Sequence, residues 1–205
     1  MRNELAFIVE GHCEYDSFIS IISKIKGSRY YPISNASGIY NIIKNTDSEL
    51  LKVIKNFKPI KIIICLDGRD AVNSKVVKNC VELKELIKSK CDNFIRNQEL
   101  NGSLLLPNEI VVVVADKTFD SWICADFEGL KNNELINASL ITETYTNVDI
   151  QIPNPCKWLG SKLQNNIDLK SKSNRKKIVQ TLRPHIAIEN SRSFRKFCKE
   201  LDIKS

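Results

Sequence analysis

An α/β fold, Rossmann-like, with a mostly parallel four-stranded sheet flanked by helices and a C-terminal helical appendage, is what this sequence predicts. Three observations carry the prediction. Apolar runs of five to seven residues alternate four times with amphipathic stretches. One of those runs, Ile60 to Leu66, is almost wholly apolar and rich in β-branched residues, the composition of a parallel strand buried on both faces. Three runs are followed at once by acids, at Glu10, at Asp67 and Asp70, and at Asp116 and Asp120. Neighbouring strand ends in a parallel sheet lie about 4.8 Å apart on one edge, and that edge is where open α/β sheets bind ligands.

The elements follow in order. Leu5 to Val9 reads as the first strand, and Glu14 to Lys26 as a helix with Phe18, Ile19, Ile21, Ile22 and Ile25 as its apolar positions. Tyr30 to Ser34 reads as the second strand. A second helix is expected from about Gly38 to Phe57, with a break at Asn45-Thr46-Asp47 and its end marked by Pro59. The third strand, Ile60 to Leu66, is followed by an amphipathic helix from Lys75 to about Arg96. Asn101-Gly102 then turns the chain into the fourth strand, Ile110 to Ala115. Beyond Asp120 a helix is expected to run to Leu130. The Thr-rich stretch Ile141 to Ile152 reads as either added strands or an irregular excursion. The remainder reads as short helices: Trp158 to Leu163, Arg175 to Leu182 and Phe194 to Leu201. A core over residues 1–135 and a basic, mostly helical extension over 136–205 packed on it are the expected domains.

Composition excludes several classes. The 205 residues are 42% hydrophobic and 27% charged, which suits a globular chain with a real core rather than a disordered or fibrous one. No stretch approaches the length of a membrane span, and the opening Met1-Arg2-Asn3-Glu4 leads into an apolar run too short and too soon acidic for a signal peptide. Seven cysteines, scattered and without a Cys-x-x-Cys pair, argue against a disulfide framework or a zinc ribbon. A reducing cytoplasm is the expected location. There is neither Gly-x-x-x-x-Gly-Lys-Ser/Thr nor Gly-x-Gly-x-x-Gly, so an ATPase or a dinucleotide enzyme is not indicated. The net charge of +7 is concentrated: from residue 161 on there are 12 Lys or Arg against 4 Asp or Glu, whereas the first 160 residues hold 19 against 20. Lys170, Lys172, Arg175, Lys176, Lys177, Arg192, Arg195 and Lys196 are a candidate footprint for a phosphate backbone, and the plain alternative is a solvated helical face.

Gathered carboxylates repel one another unless a cation sits among them, and Mg²⁺ or Mn²⁺ matches all-oxygen donors. On this reading Asp67 and Asp70 hold the metal, Glu10 handles protons, and Asp116 or Asp120 completes the shell. Arg69, with the basic tail, meets the substrate phosphate. Each residue has a structural alternative. Glu10 can favour the dipole of the following helix, Asp67-Gly68 can be a strand-ending turn, Asp116 can be a helix cap or a surface acid, and Asp120 can be the N-cap of the helix carrying Trp122. Trp122 and Trp158 read as core ahead of base-stacking platforms.

Taken together, Val9-Glu10-Gly11 with Glu14, the acidic motif Asp67 to Asp70, Phe119-Asp120-Ser121-Trp122 and Ser193-Phe194-Arg195-Lys196-Phe197 resemble the small Toprim-like proteins, more narrowly those related to OLD-type phage-defence nucleases. The resemblance spans most of the chain. It implies a Toprim fold, Mg²⁺ or Mn²⁺ dependence, phosphodiester chemistry on DNA or RNA, and a role as antiviral effector held silent until a sensor or ATPase partner releases it. It also assigns Glu10 as general acid or base in reach of the metal and Asp67 as the first aspartate of an Asp-x-Asp motif. Arg69 stands where the second aspartate is expected, with Asp70 one residue late, and Asp120 stands where relatives carry glutamate. Those departures keep a second function open: a non-catalytic module on the same scaffold that binds nucleic acid or a protein partner.

Overall fold

A computed structural model describes residues 2–27, 29–102, 104–140, 144–164, 167–169 and 171–201. Four strands, β1 (Asn3–Val9), β2 (Ile33–Asn35), β3 (Pro59–Asp67) and β4 (Glu109–Ala115), form one all-parallel sheet in the order β2-β1-β3-β4, flanked by helices in a Rossmann-like arrangement. The chain divides into two compact units, residues 1–15 with 30–114 and residues 16–29 with 115–205. No helix among the described residues is long and apolar enough to cross a membrane.

The first unit carries the sheet. In register, Phe7, Ile8 and Val9 of β1 face Ile33, Ser34 and Asn35 on one side and Ile63, Ile64 and Cys65 on the other. Ile62 to Leu66 are all buried, as the β-branched run predicts. α1 (His12–Lys26) starts here and continues into the second unit. α2 (Ile39–Phe57) turns Ile39, Ile42, Leu50, Val53 and Ile54 inward. Its expected break is present: Asn45 leaves helical geometry at φ −120°, ψ 30°, while the Thr46 hydroxyl donates to the Ile42 carbonyl, a back-bond of the kind that bends helices. Lys58 then closes α2 in the left-handed region at φ 47°, and Pro59, which cannot continue a helix, opens β3. The short β2 begins later than expected, because the ladder starts with the Phe7 N–H donating to the Pro32 carbonyl and Tyr30 lies exposed.

After β3 comes a short helix that the sequence pattern did not announce, α3 (Gly68–Asn73). The amphipathic helix that follows, α4 (Cys80–Asn101), starts five residues later than its apolar positions suggest. Lys75 is left-handed at φ 60°, and Asn79 caps the helix by accepting the Val81 and Glu82 N–H groups while Glu82 accepts the Lys78 N–H. Glu82 thus reaches one residue past the N-cap, whereas a capping box would close on the N–H of Asn79 itself. Gly102, at φ 65°, ends the helix as a left-handed glycine does.

The second unit is helical. The single helix expected from Asp120 to Leu130 is two, α5 (Asp120–Cys124) and α6 (Phe127–Asn132), divided at Asp126. Residues 141–143 of the Thr-rich stretch lie outside the described residues, and its remainder holds α7 (Val148–Gln151). Next come α8 (Pro155–Lys162), α9 (Lys172–Thr181), α10 (Pro184–Asn190) and α11 (Arg192–Glu200). α10 had no apolar period long enough to announce it. The core of this unit is aromatic: Trp122 lies 4.9 Å from Phe197, 5.3 Å from Phe194 and Phe119, and 6.0 Å from Phe18, centroid to centroid. Both phenylalanines of the terminal Ser-Phe-Arg-Lys-Phe segment are thus spent on packing, and Trp122 is core.

Candidate active site at the carboxyl edge of the sheet

From β1 the chain passes to β2 on one side, then crosses to β3 on the other, so the strand order reverses between β1 and β3. The crevice outside the carboxyl ends at such a reversal is the ligand-binding position of open α/β sheets. Glu10 follows β1 and Asp67 ends β3, so both stand at that crevice.

Glu10 is only 8% exposed. Its Oε2 accepts the Asp67 N–H at 3.0 Å, and its carboxylate also takes the N–H of Ile39 in the first turn of α2. Its own carbonyl accepts the Gly38 N–H at 2.7 Å. Burial is the strongest influence on this carboxyl and pushes its pKa up. The Asp67 N–H opposes, the charges of Glu14 and Asp70 push further up, the Ile39 N–H opposes weakly, and the result is about 7 rather than 4.5. Glu14, on the first turn of α1, folds back over Gly11: a β-carbon at Gly11 would come within 2.7 Å of Glu14 Oε2. Glycine there leaves the room in which a second acid sits close to the first.

Asp67 is half-buried, in extended geometry at the N-cap of α3, and its side chain makes no capping hydrogen bond. Asp70, in the first turn of α3, is 59% exposed at its side chain, and Arg69 Nε lies 3.8 Å from its Oδ1. At that exposure the pair contributes little to stability. It nevertheless sets a guanidinium among the acids, where the Asp-x-Asp pattern would have a second carboxylate.

The remaining expected residues belong to the second unit. Asp116 is half-buried just past β4. Asp120 is buried, and Arg175 Nη1 donates to its Oδ1 at 3.0 Å. This corrects two expectations together: Asp120 is taken by a cation of its own chain, and Arg175 is not on a solvent face but 6% exposed. A count of charges hid this, whereas the i, i+3, i+4 spacing of Arg175 with buried Ile178 and Val179 held the signal. Lys172 pairs with Asp16 at 2.7 Å, Arg195 donates to the Ile188 and Glu189 carbonyls, and Lys176, Lys177 and Arg192 are exposed. Lys170 lies outside the described residues. Sequence reasoning missed two further buried acids. Asp126 accepts from the Arg183 guanidinium and from the Arg183 and Gly129 N–H groups. Asp149 accepts from Ser191 Oγ, Ser193 Oγ and the Ser193 N–H.

Among the described residues no three His, Cys, Asp or Glu side chains are grouped to hold a metal ion. The donor set at the crevice is carboxylate oxygen throughout, which matches a hard dication held by one or two carboxylates and completed by phosphate and water. It does not match a closed cage. Comparison of the chain with protein-family models gave no match, and comparisons with curated proteins and with solved structures gave none either.

Proposed function

We propose that the crevice between β1 and β3 is the active site of a metal-dependent nuclease that hydrolyses phosphodiester bonds of DNA or RNA, and that the chain acts as an antiviral effector. The observation that carries this reading is Glu10: a buried carboxyl with a pKa near 7, at the strand-order reversal, beside acids of its own sign. Carboxyls tuned toward neutrality in crevices are suited to general acid–base work. Ionised Glu10 takes the proton of an attacking water and, now protonated, returns it to the leaving oxygen, so the rate falls as pH drops below 7. Arg69 faces the charge that grows on phosphorus. Mg²⁺ or Mn²⁺ held by Asp67 and Asp70, when bound, neutralises phosphate charge as a Lewis acid. The Toprim resemblance adds the substrate class, the defence role and control by a sensor or ATPase partner, and the scattered cysteines add a reducing cytoplasm.

The test is cleavage of plasmid, single-stranded DNA and tRNA with and without Mg²⁺ or Mn²⁺. Metal-stimulated cleavage that disappears in Glu10→Gln and in Asp67→Ala, both still folded by circular dichroism, is the expected result. Cleavage that persists in both variants overturns the assignment.

A second reading is favoured by one specific observation, the engagement of Asp120 by Arg175. It is the non-catalytic module, binding nucleic acid or a partner on the same scaffold. Calorimetry separates the two: the enzyme takes up Mn²⁺ in a way that Asp67→Ala abolishes, and the module shows no Asp67-dependent heat.

A further inference from the structure

Helix α11 divides its residues sharply by chemistry. Ser193, Phe194, Phe197 and Cys198 are buried, while Arg192, Arg195, Lys196 and Lys199 are all exposed. The four cations are spaced i, i+3, i+4 and i+7, so they form one stripe along one face. The nearest acids in sequence are Glu189, exposed on α10, Glu200, half-buried at the end of α11, and Asp202, which lies outside the described residues. Among the described residues Arg192, Lys196 and Lys199 make no salt bridge.

Of these charges only Lys199, in the last turn, suits the helix dipole. Cations near a helix N-terminus oppose its dipole, yet α11 has Arg192 in its first turn and no acid there. The compensation comes from elsewhere in the unit: the buried Asp149 carboxylate takes the Ser193 N–H at 2.8 Å, and Ser191 caps Phe194 N–H. The stripe is also held rigidly. Phe194 and Phe197 pack on Trp122, the Trp122 Nε1–H donates to Ser193 Oγ at 2.8 Å, and the Arg195 guanidinium is fixed on two carbonyls at the end of α10.

We infer that the outward stripe of α11 is a contact surface for the phosphate backbone of a double-helical nucleic acid, read without regard to base sequence. Seven residues of helix rise about 10 Å, the axial distance over which one strand of a duplex presents about three phosphates. Single strands are usually held by aromatic side chains that stack on bases, and both aromatics of α11 face inward. α9 contributes less to such a surface than a charge count suggests, since Arg175 is buried against Asp120 and Lys172 is paired with Asp16. The inference shares its partner class with the nuclease reading but not its chemistry, and it stands or falls on binding alone.

The test is binding to a labelled 30-base-pair duplex DNA in EDTA, where no cleavage occurs, across a series of salt concentrations. In the triple variant Arg192→Gln, Lys196→Gln, Lys199→Gln, affinity at low salt falls by about tenfold or more, and the slope of log K against log[salt] becomes shallower by about 2 to 3, near 0.9 per lost contact. A control with the same charge change on exposed residues of α2 and α4, Lys44→Gln, Lys55→Gln and Lys88→Gln, keeps the wild-type slope. Circular dichroism and a thermal melt confirm that both variants are folded, and if the triple is not, single charge reversals at Lys196 and Lys199 are scored in the same way. Equal slopes in wild type and triple variant overturn the inference, as does an equal loss in the control. Tighter binding to single-stranded DNA or to anionic vesicles than to duplex overturns it too. Binding that fails the nuclease assay but passes this one leaves the stripe in place and removes only the catalytic reading.

Discussion

Glu10 in the first unit and Asp120 in the second are hidden from water to the same degree, 8% and 7% exposed, yet they keep opposite company. Asp120 has a guanidinium at 3.0 Å. Glu10 has two backbone N–H groups, and the charges that reach it are those of Glu14 and Asp70, of its own sign. Asp126, with Arg183, follows the pattern of Asp120, and Asp149 is met by hydroxyls and an N–H. Buried acids that serve the fold are normally supplied with a cation or with a full set of donors. Glu10 is set where its charge is opposed, which folding alone does not ask for, and this contrast separates the candidate site from the structural carboxylates.

The contrast breaks most severely on the structural side. Arg175→Ala strands the Asp120 charge in the second unit, and loss of one partner of a buried pair costs about 3–5 kcal/mol. Urea unfolding should show a loss of that order, and adding Asp120→Asn to the same chain should recover much of it. If Arg175→Ala is nearly neutral, the pair is not what holds α9 to α5.

Glu10→Gln acts in the other direction. A carboxyl whose folded pKa is raised from 4.5 to about 7 adds stability that is fully present below pH 4.5 and is lost as pH rises through 7. At pH 8 the wild type therefore carries a penalty on the order of 3 kcal/mol. The glutamine variant, without that proton, should be more stable than wild type at pH 8 and should converge with it at pH 4.5. A gain in stability joined to a loss of cleavage is the signature expected of a strained functional residue.

A smaller effect sharpens the picture. Glu14→Gln removes one of the like charges and should lower the pH at which Glu10 ionises, seen as a shift of the acidic limb of the pH–rate profile to lower pH. An unmoved limb would mean that Glu14, although folded over Gly11, is electrostatically silent at Glu10.

Much of this was legible in the sequence because it rests on local chemistry. The β-branched run at Ile60 to Leu66 reads as a strand and is buried from Ile62 on, the break in α2 falls at Asn45, and Pro59 follows the end of α2, whereas α4 runs on to Asn101 rather than to about Arg96. The placement of Glu10 and Asp67 past strand ends was equally readable. The partnerships were not, because they join residues far apart in sequence: Arg175 with Asp120, Arg183 with Asp126, and Asp149 with Ser191 and Ser193 are separated by 55, 57, 42 and 44 positions. A charge run says how many cations there are but not which turn inward. The start of α4 was missed for a local reason, since the apolar period reached back past the Asn79 cap that ends it.

The most direct test is the titration of Glu10 itself, followed by the carboxyl ¹³C shift of the folded protein between pH 3 and pH 9, with Glu10→Gln to assign the signal. A midpoint near 7 is the predicted result. A midpoint near 4.5 would place Glu10 among ordinary carboxylates and contradict the claim that the crevice between β1 and β3 is tuned for proton transfer.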